Sequence, residues 1–547
     1  MKKIFFWFLL IIILCLPAVW SLLQPGFFTS HDGEWMVIRL TAFHQALRDG
    51  QFPVRFTGRL NHNYGYPVLN FLYPFPFYFS EFFHLLGLSF INSVKAVFIL
   101  SFFLSGIFMF LWTKELWGNW GGLISSLVYL YTPYRFLDVY VRGSIGEAVA
   151  FIFPPLIFLS IDRLRKKDNR FYLAIGSLSL AGLITSHNTM AMLFLALIIS
   201  YILLVEKKFS ILHFPFSIIF FGLSLSCFFW LPALYEKKFI IFNQVSVSNF
   251  FAHFPSLKQL LIPRWGYGPS LPLSDQDTLS FQIGVVNLAV LFLIIILLLR
   301  NLGFKKKKKT LFFVLCFLFS VFLMTKYSSW LWRLLPVYNF IQFPWRFLSL
   351  TTFTSAFLAG SLVNNWPKKF KNVVVLTFFI ALIILSKSYM KPENYLFKDD
   401  SYYATNEGTT TVADEYLPIW IKNSPQKRAD SKVEILEGGI EIKDLMVKSN
   451  QISFFSQGEK EALIRINTIY YPGWQLFVNS QKWDFDYQND LGVIQFKIQK
   501  GENKVKIIFK ETPLRKMADL ISLGSLIFLL TFLFKKDNCQ YAKIITK

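Results

Sequence analysis

The sequence predicts a polytopic α-helical membrane protein that carries a β-rich, extracytoplasmic domain near its C-terminal end. Three observations lead there. Of 547 residues, 54% are apolar and 19% aromatic, and mean hydropathy is +0.44, too apolar for a soluble globular chain. The formal charge of +23 is distributed as short basic clusters between apolar runs, the pattern that encodes membrane orientation rather than nucleic-acid binding. After residue 388 the pattern changes to period-two alternation, as in "ISFFSQ", "ALIRINTIYY" and "VIQFKIQKGENKVKIIFK", which reads as strands of a small β-sandwich. The last of these reads as a hairpin turning at Gly501-Glu502-Asn503.

An apolar helix needs roughly 20 residues to cross the hydrocarbon core. Twelve segments qualify: 4–23, 93–113, 119–134, 145–161, 171–186, 190–205, 211–232, 281–300, 310–325, 347–364, 371–388 and 517–534. The first follows Lys2 and Lys3 without a small-residue cleavage site, so it reads as a retained helix rather than a signal peptide. Counting these as spans places Arg163, Arg165, Lys166, Lys167, Arg170, Lys207, Lys208, the run Lys305 to Lys309, Lys368, Lys369, Lys371, Lys535 and Lys536 on one side, the cytoplasm, with both termini. The stretch 71–88, with Pro74, Pro76, Glu81 and His84, breaks that parity if it crosses. It therefore reads as a re-entrant or interfacial segment of a large first external loop, 24–92. The resulting organisation is a membrane domain over 1–388, a β-rich domain over 389–512, and a final helix and tail over 513–547. Cys15, Cys227, Cys316 and Cys539 form no paired motif, so neither a disulfide framework nor a zinc site is indicated.

The external segments then hold the candidate chemistry, because charges near the ends of spans are costly unless they meet water or a partner. In "FTSHDGEW", Asp32 and Glu34 follow the first apolar run, although the same stretch also suits a helix N-terminal cap. In "YRFLDVYVRGSIGE", Arg135, Asp138, Arg142 and Glu147 crowd a short loop whose arginine forks match a phosphate, while Arg142 alone also suits a snorkelling interface residue. "TSHNTM" carries His187 and Asn188; "PRWGYG" carries Trp265 and Tyr267; "SFQIG" carries Gln282; "IQFPWRF" carries Gln342, Trp345 and Arg346. Such aromatics belong to an interfacial belt or to a sugar-binding surface. Carboxylates, arginines and aromatics gathered on one face of a membrane suit a substrate with a lipid tail, a phosphate and a polar head. A lipid-linked-sugar flippase or transporter, or a glycan-binding scaffold that cleaves nothing, uses the same groups.

Taken in order, "SHDGEW", "GQFPVRFTGRLNHNYGYPVLNFLYPFPFY", "YTPYRFLDVYVRGSIGEAVAF", "SHN", "RWGYG", "SFQIG", "FPWRF" and "YYPGWQLFVN" resemble the GT-C superfamily of membrane glycosyltransferases. The similarity is to the bacterial branch labelled 6-pyruvoyl-tetrahydropterin-synthase-related membrane proteins, and it covers nearly the whole chain. The soluble synthase of that label needs a zinc-binding histidine trio, which this sequence does not offer. The resemblance implies a GT-C fold that transfers a sugar from a polyprenyl-linked donor to a glycan, lipid or protein acceptor outside the cytoplasmic membrane. By position, Asp32 matches the first-loop acid of that superfamily, and Arg142 with Glu147 falls in its second-loop position; on this footing Asp32 is expected to act as general base and Arg142, with Arg346 and Arg135, to bind the donor phosphate. Glu147, His187, Asn188, Trp265, Tyr267, Gln282 and Gln342 orient the substrate. No cofactor is required; a divalent cation, Mg²⁺ or Mn²⁺, would fall to Asp32 and Glu147, although many superfamily members have two adjacent acids where "RGSIGE" has one.

Overall fold

A computed structural model describes residues 2–164, 169–205, 213–245, 249–274, 276–300, 306–334, 338–364 and 371–534. Of the basic residues that set the expected orientation, Arg165, Lys166, Lys167, Lys207, Lys208, Lys305, Lys368, Lys369, Lys535 and Lys536 lie outside these residues.

The chain enters as α1 (Lys2–Val19), then forms α2 (Gly33–Arg48) and α3 (Phe75–Leu85) before the long α4 (Phe90–Tyr131). Next come α5 (Ile145–Ala150), α6 (Phe153–Arg163), α7 (Asn169–Ser186), α8 (Asn188–Val205), α9 (His213–Leu225) and α10 (Cys227–Glu236). After an irregular stretch follow α11 (Val285–Leu299), α12 (Lys307–Leu323), α13 (Leu348–Asn364), α14 (Lys371–Ser386) and, beyond the strands, α15 (Pro513–Phe534). Among the described residues six helical segments are long and apolar enough to cross a membrane, and eight if each of two bent pairs is one span. The protein is thus a multi-pass membrane protein with six to eight candidate spans, fewer than the twelve apolar segments of the sequence. Three of those segments correspond to α7, α11 and α14, which are only 15 to 18 residues long.

Helix α4 unites two expected spans. At 42 residues and ~1.5 Å per residue it would overrun a bilayer if straight. It breaks at Gly118, whose φ of 74° and ψ of 178° lie where only glycine is comfortable. The two halves fold back on each other, with Ser126 Oγ donating to Gly106 O at 2.8 Å. Near this break, Trp112 Nε1 and Tyr201 Oη donate to Asp162 at 3.0 and 2.7 Å. Lys309 also pairs with Asp162, and Arg163 with Glu115. Arg163 and Lys309 thus meet at one end of the bundle; His187, at the far end of α7 from Arg170, marks the other.

Segment 71–88 forms α3, an 11-residue helix too short to span, with Phe82, Leu85 and Leu86 exposed. That suits an interfacial element. Strand β1 (Phe27–Phe28) pairs antiparallel with β2 (Tyr395–Leu396), tying the start of the first loop to the chain beyond α14.

The β-rich region contains β3 (Val433–Glu437), β4 (Ile440–Lys448), β5 (Gln451–Gly458), β6 (Ala462–Ile469), β7 (Trp474–Val478), β8 (Gln481–Trp483), β9 (Val493–Ile498) and β10 (Gly501–Phe509). They form a five-stranded sheet ordered β4-β5-β10-β7-β8 and a three-stranded sheet ordered β3-β6-β9. Two antiparallel sheets thus make up the β-rich region, but the expected hairpin at Gly501-Glu502-Asn503 does not form. Strand β9 pairs with β6, whereas β10 pairs with β5 and β7. Alternation fixes which residues of a strand face inward, here Val505, Ile507 and Phe509 of β10, but is blind to the sheet the strand joins.

A buried ion network locks this region to the membrane helices. Arg515 meets Glu236 at 2.7 Å, and Asn70 and Tyr471 donate to the same carboxylate, each at 2.8 Å. Arg55 in the first loop pairs with Glu511 at 2.8 Å and with Asp519 at 3.0 Å.

Candidate functional site at one membrane face

The residues that begin α2 and the loop before α5 are joined through their backbones. His31 N donates to Val141 O and Asp32 N to Arg142 O, both at 2.9 Å. The contact is close because Gly143, at φ 65°, has no side chain: a Cβ there would fall 2.5 Å from Gly33 N. Asp32 stands at the N-cap position of α2, yet its carboxylate makes no capping hydrogen bond. The hydroxyl of Ser30 takes that role, accepting from Gly33 N at 3.2 Å. The Asp32 side chain is left facing a cavity of about 550 Å³.

Opposite it lies a cluster centred on Glu147, which is fully buried in the first turn of α5, where the positive end of the helix favours a carboxylate. Arg142 Nη1 sits 2.8 Å from Glu147 Oε1 and 2.7 Å from Asp138 Oδ1. Tyr134 donates to Glu147 Oε2 at 2.8 Å, and Arg346 Nε and His187 Nε2 approach Oε1 at 3.4 and 3.6 Å. Arg346 Nη1 also donates to Ile341 O, Gln342 Oε1 and Thr189 Oγ1 at 2.8 to 3.1 Å. The Arg142 guanidinium packs over the Trp345 ring at 4.9 Å. Burial pushes the His187 imidazole down to about 3. It is therefore neutral near pH 7, with Nδ1 accepting from Met190 N at 3.3 Å.

Asp32, Arg142, Arg346, His187, Asn188 and Gln342 all line the cavity; Glu147 anchors its arginines from behind. Asn188 Nδ2 donates to Phe71 O at 3.3 Å. Arg135 is not brought there. It is buried among Phe102 and Phe151, 4.6 and 4.4 Å from their ring centres, and donates to Ser105 Oγ at 3.1 Å. Trp265, Tyr267 and Gln282 are likewise outside the cavity lining. Trp265 stacks on Tyr389 at 4.5 Å, and Gln282 accepts from the Tyr389 hydroxyl at 3.3 Å. Tyr267 accepts from His31 Nε2 through its carbonyl at 2.9 Å. Of the three, only Tyr267 thereby braces the chain beside Asp32. Nor do Asp32 and Glu147 suit a divalent cation: the Glu147 oxygens already face two arginines and a tyrosine. Among the described residues no group of three His, Cys, Asp or Glu could hold a metal.

The structure adds residues that the sequence reading left out. Arg39, Met36 and Trp35 of α2 line the cavity; Met36 and Arg39 lie four and seven residues after Asp32, so helical periodicity starting from Asp32 identifies that face. Tyr73 lines it too, and burial pushes its phenol up to about 12. Thr411, Glu415 and Tyr416 arrive from beyond α14, and nothing local in "GTTTVADEY" announces them.

A second, larger hollow of about 1200 Å³ lies between α3, α4, α6, α7 and α15, lined mainly by apolar side chains such as Phe75, Phe108, Phe153, Ile175 and Leu526. The two spaces adjoin at two turns: Leu72 and Tyr73 face the polar cavity and Pro74 and Phe75 the apolar one, as do His187 and Thr185 respectively.

The apolar helical bundle, with a charged cavity at one end and an adjoining apolar hollow, is that of a multi-pass membrane protein. The chain belongs to the family of 6-pyruvoyl-tetrahydropterin synthase related membrane proteins, whose domain matches residues 69–393. Its fold is similar to that of the arabinofuranosyltransferase AftD from mycobacteria, with a TM-score of 0.51 at 13% identity over 72% of this chain and 28% of AftD. The oligosaccharyltransferase of Archaeoglobus fulgidus aligns with a TM-score of 0.42 at 14% identity over 76% of this chain and 58% of that one. An uncharacterised protein of Lactococcus lactis subsp. cremoris is 24% identical over 261 residues, 46% of this chain and 42% of that one. The chain thus matches less than half the length of that relative and under a third of AftD.

Proposed function

We propose that the protein is a membrane glycosyltransferase that moves a sugar from a polyprenyl-phosphate-type donor to an acceptor outside the cytoplasmic membrane. The observation that carries this reading is the uncommitted Asp32 carboxylate, freed from capping by Ser30 and directed into the cavity that Arg142 and Arg346 border. The adjoining apolar hollow supports a lipid-linked donor: its length of hydrocarbon wall suits an isoprenoid chain while the head reaches the charged cavity. The likeness in fold to AftD, an arabinofuranosyltransferase, is compatible with this chemistry.

In the reaction, Asp32 accepts the proton of the acceptor hydroxyl as that oxygen bonds to the anomeric carbon. The bond from that carbon to the phosphate oxygen breaks, and the lipid phosphate leaves with the electron pair. A base so placed contributes roughly 10²- to 10⁴-fold. Arg142 and Arg346, held rigid by Glu147, stabilise the charge growing on the departing phosphate, which is most effective where water is excluded. Arg135 has no part in this step.

The same reading keeps the twelve-span topology, with both termini cytoplasmic and the cavity outside, and the division at residues 388 and 512. The test is transfer by purified protein in nanodiscs supplied with polyprenyl-phosphate sugars and candidate acceptors. Asp32→Asn is expected to lower kcat at least about 100-fold with little change in donor binding; full activity of this variant would sink the assignment.

A further inference from the structure

Glu415 lies on the wall of the Asp32 cavity formed by the extramembrane segment, beside Thr411 and Tyr416. Its Oε2 is buried without a hydrogen-bond partner, an arrangement that is costly unless a ligand completes it. The backbone that carries it is strained: Thr410, Ala413 and Asp414 have φ values of 63°, 56° and 52°, a region that a β-branched residue rarely enters. Such strain persists where surrounding structure enforces it. Here the first loop does so. Arg39 Nε donates to Thr410 Oγ1 at 2.9 Å, Tyr66 Oη and Thr411 Oγ1 share a hydrogen bond at 2.9 Å, and Tyr416 N donates to Tyr66 Oη at 3.0 Å. Tyr416 also stacks on Phe71, with ring centres 5.4 Å apart. The loop is therefore fixed in the one conformation that presents the carboxyl.

We propose that Glu415 is the acceptor-binding carboxyl of this site, receiving a hydroxyl of a neutral, polyhydroxylated acceptor and setting it beside Asp32. This rests on the transferase reading. The wall it occupies is the aqueous one: neighbouring Val412 is 52% exposed, whereas the apolar hollow adjoins the cavity through Tyr73 and His187. A carboxylate repels the donor phosphate and attracts a neutral hydroxyl, so the two substrates are sorted by charge. Trp35 supplies an aromatic face on which a sugar ring packs. Burial, opposed by Arg39 and Thr411, pushes the Glu415 carboxyl up to about 7, so the group both accepts and donates hydrogen bonds near neutral pH.

The full chain, purified in detergent, is applied to an array of neutral oligosaccharides. The parent is expected to retain a defined subset, Glu415→Ala to lose at least about tenfold in affinity for it, and Glu415→Gln, which replaces the carboxyl with an amide of the same shape, to lose less. Should Glu415→Ala fail to fold, as judged by thermal melting, Glu415→Gln still reports through a three- to tenfold loss, roughly the worth of one weakened hydrogen bond. Equal retention by parent and folded variants, or no retention by the parent, overturns the proposal. The transfer assay with Asp32→Asn is independent: unaffected transfer there refutes the base while leaving Glu415-dependent retention standing.

Discussion

Replacing Glu147 by glutamine tests whether the cluster at the cavity wall is an electrostatic unit. The native carboxylate is fully buried and is approached by Arg142 at 2.8 Å, Arg346 at 3.4 Å and the Tyr134 hydroxyl at 2.8 Å. Glutamine keeps the shape and an acceptor for Tyr134 but removes the charge, leaving two buried guanidinium groups with Asp138 as the nearby anion. Breaking a buried pair by deleting one partner costs about 3–5 kcal/mol, because the remaining charge is stranded. Two arginines share this anion, which places Glu147→Gln toward the upper end. The assay is thermal or denaturant unfolding of the purified protein in detergent, read by intrinsic tryptophan fluorescence. Pairing the change with Arg346→Gln removes one stranded cation, so the double variant should recover about 0.5–3 kcal/mol relative to the sum of the singles. A single-variant loss within about 0.5 kcal/mol, the scale of an ordinary surface change, with no coupling in the cycle, would refute the reasoning.

Three further outcomes are expected. Gly143→Ala puts a Cβ 2.6 Å from Gly33 Cα at a φ of 65°; it should separate the α2 entrance from the Arg142 loop and cost about 1–3 kcal/mol, with a loss of transfer read in the nanodisc assay. Arg135→Lys should lower melting temperature through lost packing against Phe102 and Phe151, yet leave the KM for a polyprenyl-phosphate donor unchanged; a raised donor KM would return Arg135 to the phosphate site. Glu415 gives a pH dependence of stability. Its folded pKa of about 7 is above its ordinary 4.5, so between those values the native state holds the proton more tightly, and its contribution is lost as pH rises through that window. The groups facing it are Arg39 from α2, Tyr66 from the first loop, and Asp414 and Tyr416 in its own segment. The melting temperature of the parent minus that of Glu415→Gln should therefore fall from pH 5 to pH 7.5, and a flat difference would contradict this.

Much of the cavity was legible because its polar residues interrupt apolar sequence. Asp32, Arg142, Glu147, His187, Asn188, Gln342 and Arg346 each stand out against hydrocarbon neighbours, and the structure gathers them at one end of the bundle. Trp265, Tyr267 and Gln282 stand out equally and do not line the cavity, since interruption signals an end of a helix and not which of several loops closes over a site. Arg135 misled for a related reason. A guanidinium in a short loop reads as a phosphate ligand, but π-faces and carbonyls can satisfy it inside the protein.

By itself the sequence determined that this chain lives in a membrane, where its apolar runs lie, that segment 71–88 stays out of the span count, and that its later part alternates as strands. These are properties of hydropathy and period, and they are local. Only the tertiary structure decided that Ser30 rather than Asp32 caps α2, that β9 and β10 join different sheets, and that Glu147 binds the arginines as a buried counter-ion. It also decided that Glu415, almost four hundred residues from Asp32, shares its cavity. Which partner satisfies a polar group depends on distances between segments remote in sequence, and those are set by packing the whole chain.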